Sequence, residues 1–353
     1  MEAGAPLKLS ITSVVLIASN DDYELYDVEI DKGLEMHEVL KMKIVHAVVG
    51  RSYTDEAFFY QCSISWKHDN IIKGEYFRLN EFGRGCFYYE NFERLDSARD
   101  LSCRQLKLIL LNYCAALDFI HSSGYYITQF HERDLVIRRR NENVEGCFVS
   151  ISLQPKSSVP SLAARQIREN FHIMARTFAA CIRGHSDASN LNLLVDFIKD
   201  FQTSDTLWAF PSLMSSSHRI SHYARVGNAF KRLDHDFQTK IENEFMEKIH
   251  KPGQTFEWLE NAKSFQCFYA ALGYDNAHVG DTTSIRYQDG LKQFLRFCRN
   301  LPAHITRQES PLLDFEDQVD QALTGLCPEF LDVMHYILYK KYVFIVKKQP
   351  QYD

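Results

Sequence analysis

An amphipathic stretch that runs into a proline most constrains how the C-terminal part of this chain can fold. Between Tyr287 and Ile305, apolar residues recur at the three-to-four residue spacing of a helix that buries one face. They are Leu291, Phe294, Leu295, Phe297 and Cys298. Pro302 lacks a backbone N–H and restricts the residue before it, so the sequence predicts that the helix ends near Asn300. His304 then lies in the turn that follows.

Three polar residues at this predicted helix–loop junction can act on a phosphate: Arg299, Asn300 and His304. An imidazole has an ordinary pKa of about 6.5 and can shuttle a proton near neutral pH. A guanidinium presents a fork of donors to a phosphate, and an amide can donate to a phosphate oxygen or orient the imidazole. Such a set can push an RNA 2′-hydroxyl onto the adjacent phosphorus without a metal. The alternative is that three ordinary surface residues stand at this spacing by chance.

The run from Asp289 to Ile305, DGLKQFLRFCRNLPAHI, resembles the helix–loop element of the kinase-extension nuclease family. That family includes ribonuclease L and the unfolded-protein-response sensor kinase–endoribonuclease. The resemblance implies that Arg299, Asn300 and His304 are catalytic. It implies a general acid or base at His304, stabilisation of phosphate charge by Arg299, and orientation or hydrogen-bond donation by Asn300.

Other positions depart from the family's pattern or bear on it. Relatives use a tyrosine upstream of the helix, for which Tyr287 is the nearest candidate, although Arg286 occupies the aligned position. An aspartate that stabilises the catalytic helix in relatives is replaced by Gln293. Glu257–Asn261 resembles a tryptophan-centred box of the family, and we expect Trp258 to pack the fold rather than to contact RNA. These differences leave the support of the site open.

Length and composition indicate two domains and argue against several classes of protein. With 353 residues, 45% of them hydrophobic, the chain can bury two cores, and we predict domains at 1–215 and 216–353. The net charge of −6 argues against a general nucleic-acid coat protein, but an enzyme that engages one RNA loop needs only a local basic patch. The nine cysteines form no C-x-x-C pair, which favours buried thiols in a reducing compartment. No apolar run reaches the roughly 18 residues of a membrane span, so we expect no membrane contact and a cytoplasmic or nuclear location.

The first part of the chain has the composition of an α+β fold. Leu9–Ala18 and Lys43–Val49 are strand-type β-branched runs, Tyr53–Trp66 can form a helix, and Cys86–Phe92 is an aromatic run of strand character. This order resembles the small lobe of a protein kinase. The predicted fold class is therefore a degenerate, two-lobed kinase-like domain followed by an all-α kinase-extension nuclease domain.

The resemblance continues into the large lobe. A helical face formed by Leu106, Ile109, Leu110, Tyr113, Leu117 and Ile120 ends before Gly124, and a second helix is predicted over Ala164–Ile182, where Asn170 replaces the usual aspartate. Counting forward from Gly124 places the kinase H-R-D on Ile127–Gln129 and the metal-binding asparagine on Asp134. The same count places the D-F-G near 153–155.

These positions lack the residues that phosphoryl transfer needs. If Ala47–Val49 matches the V-A-I-K strand of kinases, Val49 replaces the lysine, and no G-x-G-x-x-G loop lies near the N-terminus. The string His131–Asp134 looks like a catalytic loop but is out of step with its surroundings, so only an insertion would make it one. The resemblance therefore implies a pseudokinase that needs neither ATP nor magnesium, whose degenerate cleft can still hold a nucleotide or another small molecule.

From Ile220 onward the pattern is helical. We predict one long packing helix over Ala224–Ile249 and closing helices over Phe315–Leu323 and Pro328–Tyr342. Asp275–Ser284 is a polar loop, in which we expect His278 to be a solvated residue rather than a second catalytic histidine.

These expectations combine into one functional hypothesis and two alternatives. The hypothesis is a metal-independent endoribonuclease that cleaves single-stranded or loop RNA to 2′,3′-cyclic phosphate ends and works as a homodimer, with Tyr287 assisting the three catalytic residues. The first alternative is a scaffold, inactive as kinase and as nuclease, that binds a protein or RNA. The second is an active kinase, which requires His131–Asp134 to be a working catalytic loop.

Overall fold

The structure is a computed structural model that describes residues 10–19, 23–31, 37–45, 51–82, 84–140, 143–184, 191–200, 210–249, 251–268, 271–272, 287–305 and 312–340. The chain divides into two compact units, Met1–Ser204 and Asp205–Asp353. This division lies before the predicted boundary after residue 215, so the serine-rich segment at 212–217 belongs to the second unit. The assignment of the units as pseudokinase and nuclease domains stays a prediction.

The first unit begins with a five-stranded antiparallel sheet in the order β1-β2-β3-β5-β4. The strands are β1 Ser10–Ser19, β2 Tyr23–Asp31, β3 His37–Val45, β4 Gly74–Leu79 and β5 Gly85–Glu90. Alternate residues of the three central strands point to the same face because side chains alternate along a strand. They form a buried cluster of Val28, Ile30, Leu40, Met42, Cys86 and Tyr88.

Helix α1, Arg51–Ser65, lies between β3 and β4 in the chain. The helix predicted over Tyr53–Trp66 and the strand predicted over Cys86–Phe92 are confirmed to within two residues at either end. The strand predicted over Lys43–Val49 is found only as far as Val45, and residues 46–50 lie outside the described part of the chain. A sheet with one intervening helix is the element order expected of a kinase-like small lobe.

The helix predicted before Gly124 is confirmed as α2, Cys103–Ser122. A capping box begins it: the Gln105 backbone N–H donates to Ser102 Oγ at 3.3 Å, and the Ser102 N–H donates to Gln105 Oε1 at 2.9 Å. All six residues of the predicted apolar face are buried. Local pattern and capping chemistry agree here, which explains why the sequence located this helix.

Short strands and further helices complete the first unit. They are β6 Glu93–Arg94, β7 Tyr125–Gln129, β8 Leu135–Arg140, β9 Asn143–Phe148, β10 Ser152–Pro155, α3 Pro160–Cys181 and α4 Asn192–Asp200. Strands β6, β8 and β9 form one small sheet, and β7 pairs with β10 in another. An N-terminal antiparallel sheet is thus followed by a mainly helical part, the arrangement of a two-lobed, kinase-like domain.

The described residues of the second unit form helices and no strand. The helices are α5 Ser216–Lys231, α6 His235–Lys248, α7 Leu259–Ala262, α8 Leu291–Ile305, α9 Leu312–Leu326 and α10 Phe330–Lys340. The prediction of a single helix over Ala224–Ile249 is wrong, because the helix is interrupted between α5 and α6. Asp234 caps α6 by accepting a 2.8 Å hydrogen bond from the Phe237 N–H, an alternative to continuing the first helix.

The predicted end of the central helix near Asn300 is also wrong, since α8 continues through Pro302 to Ile305. Proline removes one backbone donor, but near the end of a helix only one hydrogen bond is lost. Packing offsets that loss: Leu295, Phe297, Cys298 and Leu301 are at most 2% exposed. Tertiary burial therefore holds this backbone in a helical conformation that the local sequence disfavours.

Candidate functional site

Three of the four predicted site residues of the second unit form one hydrogen-bonded chain. The Asn300 amide Nδ2 donates to the Tyr287 hydroxyl at 3.1 Å, and the Arg299 Nε donates to Asn300 Oδ1 at 3.4 Å. Arg299 and Asn300 are partly exposed at consecutive positions of α8. Asn300 thus links a buried tyrosine to a partly exposed guanidinium, a geometry that holds its amide in a defined orientation.

Aromatic packing holds the Tyr287 side chain in place. Tyr287 is only 2% exposed, and its ring meets those of Trp258 at 6.0 Å and Phe297 at 5.7 Å between centroids, both edge to face. The Arg296 guanidinium lies 5.5 Å from its ring centroid, within the range of a cation–π contact. Because Tyr287 is buried, its hydroxyl meets the Asn300 amide inside the protein. The one-residue offset noted in the sequence therefore does not prevent this tyrosine from contacting Asn300.

A second set of contacts anchors the start of α8. The Asp289 Oδ1 accepts hydrogen bonds from the backbone N–H groups of Trp258 at 2.8 Å and Leu259 at 2.9 Å. Gly290 has a φ of 115°, which favours glycine, and its N–H donates to the Phe256 carbonyl at 2.7 Å. Sequence reasoning missed Asp289, although an aspartate followed by glycine just before an apolar repeat is a signal for such a turn.

Trp258 is a packing residue, as predicted. It is 1% exposed, and its ring lies 5.1 Å from Phe294 and 5.1 Å from Phe297. These rings form an aromatic core directly beneath Tyr287.

Gln293, which the resemblance aligned with a stabilising aspartate, has one poorly satisfied side-chain atom. Its buried Oε1 finds no hydrogen-bond partner among the residues that the structure describes. A buried acceptor without a partner costs about 1–3 kcal/mol. The helix is therefore held by apolar packing and by Asp289, not by this amide.

His304 lies in the last turn of α8, one turn after Asn300 along the helix backbone. Its side chain lies outside the described residues, as do Arg286 and His278. Because α8 continues to Ile305, position 304 lies on the same helix as Arg299 and Asn300.

The first unit contains a different polar constellation, in the cleft of its kinase-like fold. Lys43 on β3 pairs with Glu56 on α1 at 2.6 Å, and both side chains are nearly buried. Glu56 also accepts hydrogen bonds from the Ser150 hydroxyl at 2.9 Å and from the Tyr89 hydroxyl. Val49 lies outside the described residues, so the expectation that it replaces a strand lysine stays a prediction. Sequence reasoning did not single out Lys43, because a lone lysine carries no local pattern and only the tertiary structure shows its pairing with the helix.

Asp134 lies on the floor of this cleft beside Ser150 and Lys43. It is buried, and burial raises the pKa of its carboxyl to about 7 even though the His131 N–H donates to it at 2.7 Å. His131–Asp134 is a short 3-10 turn rather than an extended loop. Asp134 is thus a protonatable group in a site that holds few other acids.

Tyr23 occupies the mouth of the cleft. Its ring centroid lies 4.5 Å from the Lys43 Nζ and 5.0 Å from the Arg133 guanidinium carbon, and its side chain is 7% exposed. The ring makes cation–π contacts with both cations and fills space beside them that a phosphate group would need. The cleft is narrow as a result.

Asn170 on α3 ties the segment after α2 to the core. Its Oδ1 accepts from the Ile127 N–H at 2.8 Å, and its Nδ2 donates to the Ile127 carbonyl at 2.6 Å. The same Oδ1 lies 3.0 Å from His121 Nε2, and burial lowers the pKa of this histidine. This two-way bond fixes the backbone at Ile127, and Ile127–Gln129 carry no carboxylate.

The described residues contain no cluster of three or more histidine, cysteine, aspartate or glutamate side chains that can hold a metal ion. Within the same described ranges, no helix combines the length and apolar character needed to cross a membrane. All nine cysteines are free thiols, and most are buried.

Comparison with known proteins finds no matching family model and no matching curated protein. Among solved structures, the kinase domain of PknI from Mycobacterium tuberculosis is similar to part of this chain. A double mutant of that domain shows 15% identity and a TM-score of 0.39 over 62% of this chain and 96% of that chain. A single mutant gives 15%, 0.38 and the same coverage, and another crystal structure of the domain gives 14% and 0.37 over 52% of this chain and 78% of that one. These values are too low to carry a conclusion about activity.

Proposed function

We propose that this protein is a metal-independent endoribonuclease whose reaction centre lies at the end of α8. The observation that supports it most is the hydrogen bond from Asn300, which was chosen in the sequence for its chemistry, to Tyr287, which was chosen from the family resemblance. Arg299 and Asn300 are partly exposed, and the buried Tyr287 holds Asn300 from the protein interior. Asn300 and Tyr287 are 13 residues apart in the chain, so their contact depends on the tertiary fold.

The proposed reaction is attack of an RNA 2′-hydroxyl on the adjacent phosphorus. The new bond joins the 2′-oxygen to phosphorus and the bond to the 5′-oxygen breaks, which leaves a 2′,3′-cyclic phosphate and a 5′-hydroxyl. Arg299 stabilises charge on the phosphate with the donors it does not spend on Asn300. Asn300 donates to a phosphate oxygen or orients the histidine, and Tyr287 positions Asn300. His304 transfers the proton as general acid or base.

In this proposal the first unit does not transfer phosphate. The Lys43–Glu56 pair is present, but the positions counted as catalytic hold Ile127–Gln129 and no carboxylate. Tyr23 occupies the mouth of the cleft, which argues against a bound triphosphate in this state. The unit serves as a kinase-like platform for a homodimer, as the family resemblance implies.

The test is cleavage of a fluorophore–quencher stem-loop RNA in EDTA. The wild type should cleave, with a rate that rises faster than linearly with protein concentration because the active form is a dimer. His304→Ala should lower the rate by about 10²- to 10⁴-fold, the usual contribution of general acid–base catalysis. Lys292→Ala is the matched control, since Lys292 is an exposed residue on the same helix, and it should leave the rate unchanged.

A non-catalytic scaffold is the second candidate, and one observation favours it. Gln293 leaves a buried acceptor without a partner beneath the site, where relatives have a stabilising aspartate. If wild type and His304→Ala are equally silent while both are folded and dimeric, the scaffold replaces the nuclease. Cleavage by Gln293→Asp would then show that the site lacks only the stabilising carboxylate. No cleavage by this variant would show that the site is inactive for other reasons as well.

A further inference from the structure

An open groove of the first unit concentrates positive charge in a chain whose net charge is −6. It is lined by Arg94, His131, Glu132, Arg133, Arg176 and Arg183, among others. Four guanidinium groups and one carboxylate line it, and Asp96 and Asp134 lie beside Arg94 and Arg133, so the unpaired positive charge is concentrated on Arg176 and Arg183 and favours an anionic ligand. The groove lies on unit 1 alone and shares no residue with the proposed reaction centre.

The far wall of the groove comes from the C-terminal end of α3. Arg176 and Ala180 are one turn apart on that helix, and Arg183 lies two residues beyond its end at Cys181. Residues one turn apart lie on the same side of a helix. The last turn of α3 and the turn that follows it thus place two arginines along the groove.

The arginines differ in how much of their charge is already paired. Arg94 binds Asp96, with Nε 3.0 Å from Oδ1, and Arg133 stacks on the ring of Tyr23. Arg176 and Arg183 are both exposed, and neither guanidinium makes an ion pair or a hydrogen bond with any residue in the described part of the chain. Their donor forks are therefore available to an incoming phosphate.

We propose that this groove binds the sugar–phosphate backbone of single-stranded RNA. The choice of RNA as the ligand rests on the proposed function. An open, shallow groove suits an extended chain better than a compact small molecule, and arginine forks match the two free oxygens of a phosphodiester. The groove wall holds one aromatic ring, Phe130, which is packed against Phe148 at 5.5 Å, so charged groups outnumber surfaces for base stacking. Binding is therefore to phosphates and shows little sequence preference.

The test uses fluorescence anisotropy of the full-length protein with a short fluorescein-labelled 2′-O-methyl RNA. Blocking the 2′-hydroxyl prevents cleavage, so binding is measured whether or not the protein is a nuclease. Each phosphate contact on a single strand contributes about 0.7 to the slope of log affinity against log salt. Arg176→Gln with Arg183→Gln should weaken binding and reduce that slope by about 1.4.

Arg165→Gln with Arg168→Gln is the matched control. Both residues are exposed on the same helix, the charge change is identical, and neither lines the groove. The proposal is overturned if the two double variants bind alike, or if a phosphoserine-rich acidic peptide binds the wild type more tightly than RNA and loses affinity in the groove variant. If the wild type cleaves RNA but binding does not depend on the groove arginines, only the groove proposal is rejected. If binding depends on the groove arginines but the wild type does not cleave RNA, only the nuclease proposal is rejected.

Discussion

The polar networks of the two units differ in how completely their groups satisfy one another. In the first unit, Glu56 accepts hydrogen bonds from Lys43, Ser150 and Tyr89, and the Tyr23 ring packs on Lys43. All of these groups are buried or nearly so. Such a closed network stabilises a fold, because its polar groups find their partners inside the unit.

The network at the end of α8 is open by comparison. Asn300 and Arg299 are partly exposed, and among the described residues Arg299 uses only its Nε, in a long 3.4 Å hydrogen bond. A guanidinium carries five N–H donors, so most of them remain for a substrate. The difference lies in exposure: the Lys43–Glu56 pair is nearly buried, whereas Arg299 is a partly exposed cation on a rigid support, which is what a reaction needs. Four predictions test this difference.

The largest effect should follow from opening the closed network with Glu56→Ala. Lys43 would be left buried without its partner, which typically costs about 3–5 kcal/mol. RNA cleavage by the folded fraction should not change. Urea unfolding of the variant measures the loss, and Glu75→Ala is the control because its partner Lys73 is more than half exposed. That exposed pair should be worth less than about 1 kcal/mol, and equal losses in the two variants would contradict a buried network.

The second effect is a pair of pH dependences with opposite sign. The folded pKa of Asp134 is about 7, above the unfolded value of about 3.9, so its contribution to stability falls as the pH rises between those values. The folded pKa of His222 is about 3, lowered by burial, and its ring lies 3.0 Å from the buried His335. An unfolded histidine binds a proton below about pH 6.5, so this contribution falls as the pH drops toward 3.

Each group contributes a slope of about 1.4 kcal/mol per pH unit inside its window. Between about pH 3.9 and 6.5 the contributions of Asp134 and His222 oppose one another, so each is measured as the difference between the wild type and one variant in urea unfolding at a series of pH values. Asp134→Asn removes the first contribution while keeping an acceptor for the His131 N–H. His222→Gln removes the contribution of His222 while keeping a polar partner for His335, whose own pKa is also lowered by burial. A difference between wild type and variant that does not change with pH would show that the substituted group does not control the response of the protein to pH.

A smaller effect should follow from Gly227→Ala on α5. A Cβ there would lie 2.6 Å from the Leu295 carbonyl oxygen of α8 and 3.3 Å from the Arg299 Cβ, so the two helices must separate. Overpacking of this kind costs about 1–3 kcal/mol, and displacement of Arg299 should lower cleavage as well. Gly325→Ala makes the same substitution in α9, where the nearest atom is 3.6 Å away. It should be neutral or slightly stabilising in the same unfolding and cleavage assays.

The smallest effect should come from Tyr287→Phe, which removes one hydroxyl and its hydrogen bond to Asn300. The loss in stability should be about 0.5–1.5 kcal/mol. A loss of positioning of similar size corresponds to about a tenfold slower cleavage with little change in KM. Tyr113→Phe is the control, since its buried hydroxyl donates to the Val136 carbonyl at 2.9 Å in the first unit. Tyr113→Phe should lose a similar amount of stability and keep full cleavage activity. If both variants lose activity to the same extent, Tyr287 has only a structural role.

Local pattern was enough to locate the elements in which periodicity and capping agree. The helix before Gly124 and the helix over Arg51–Ser65 were predicted from spacing alone, and Trp258 was placed in the core by its surroundings. The chemistry of Arg299, Asn300 and His304 was likewise visible as a pattern of residue types. These features depend on residues that are close in the chain.

Only the tertiary structure decided the features that join distant segments or override a local preference. Two of these features are contacts: the Lys43–Glu56 pair and the hydrogen bond between Asn300 and Tyr287. The other two are the continuation of α8 through Pro302 and the start of a new helix after Asp234. The physical reason is the same in each case. Burial and hydrogen bonds between remote residues contribute free energies as large as a local propensity or larger, and no short stretch of sequence contains both partners.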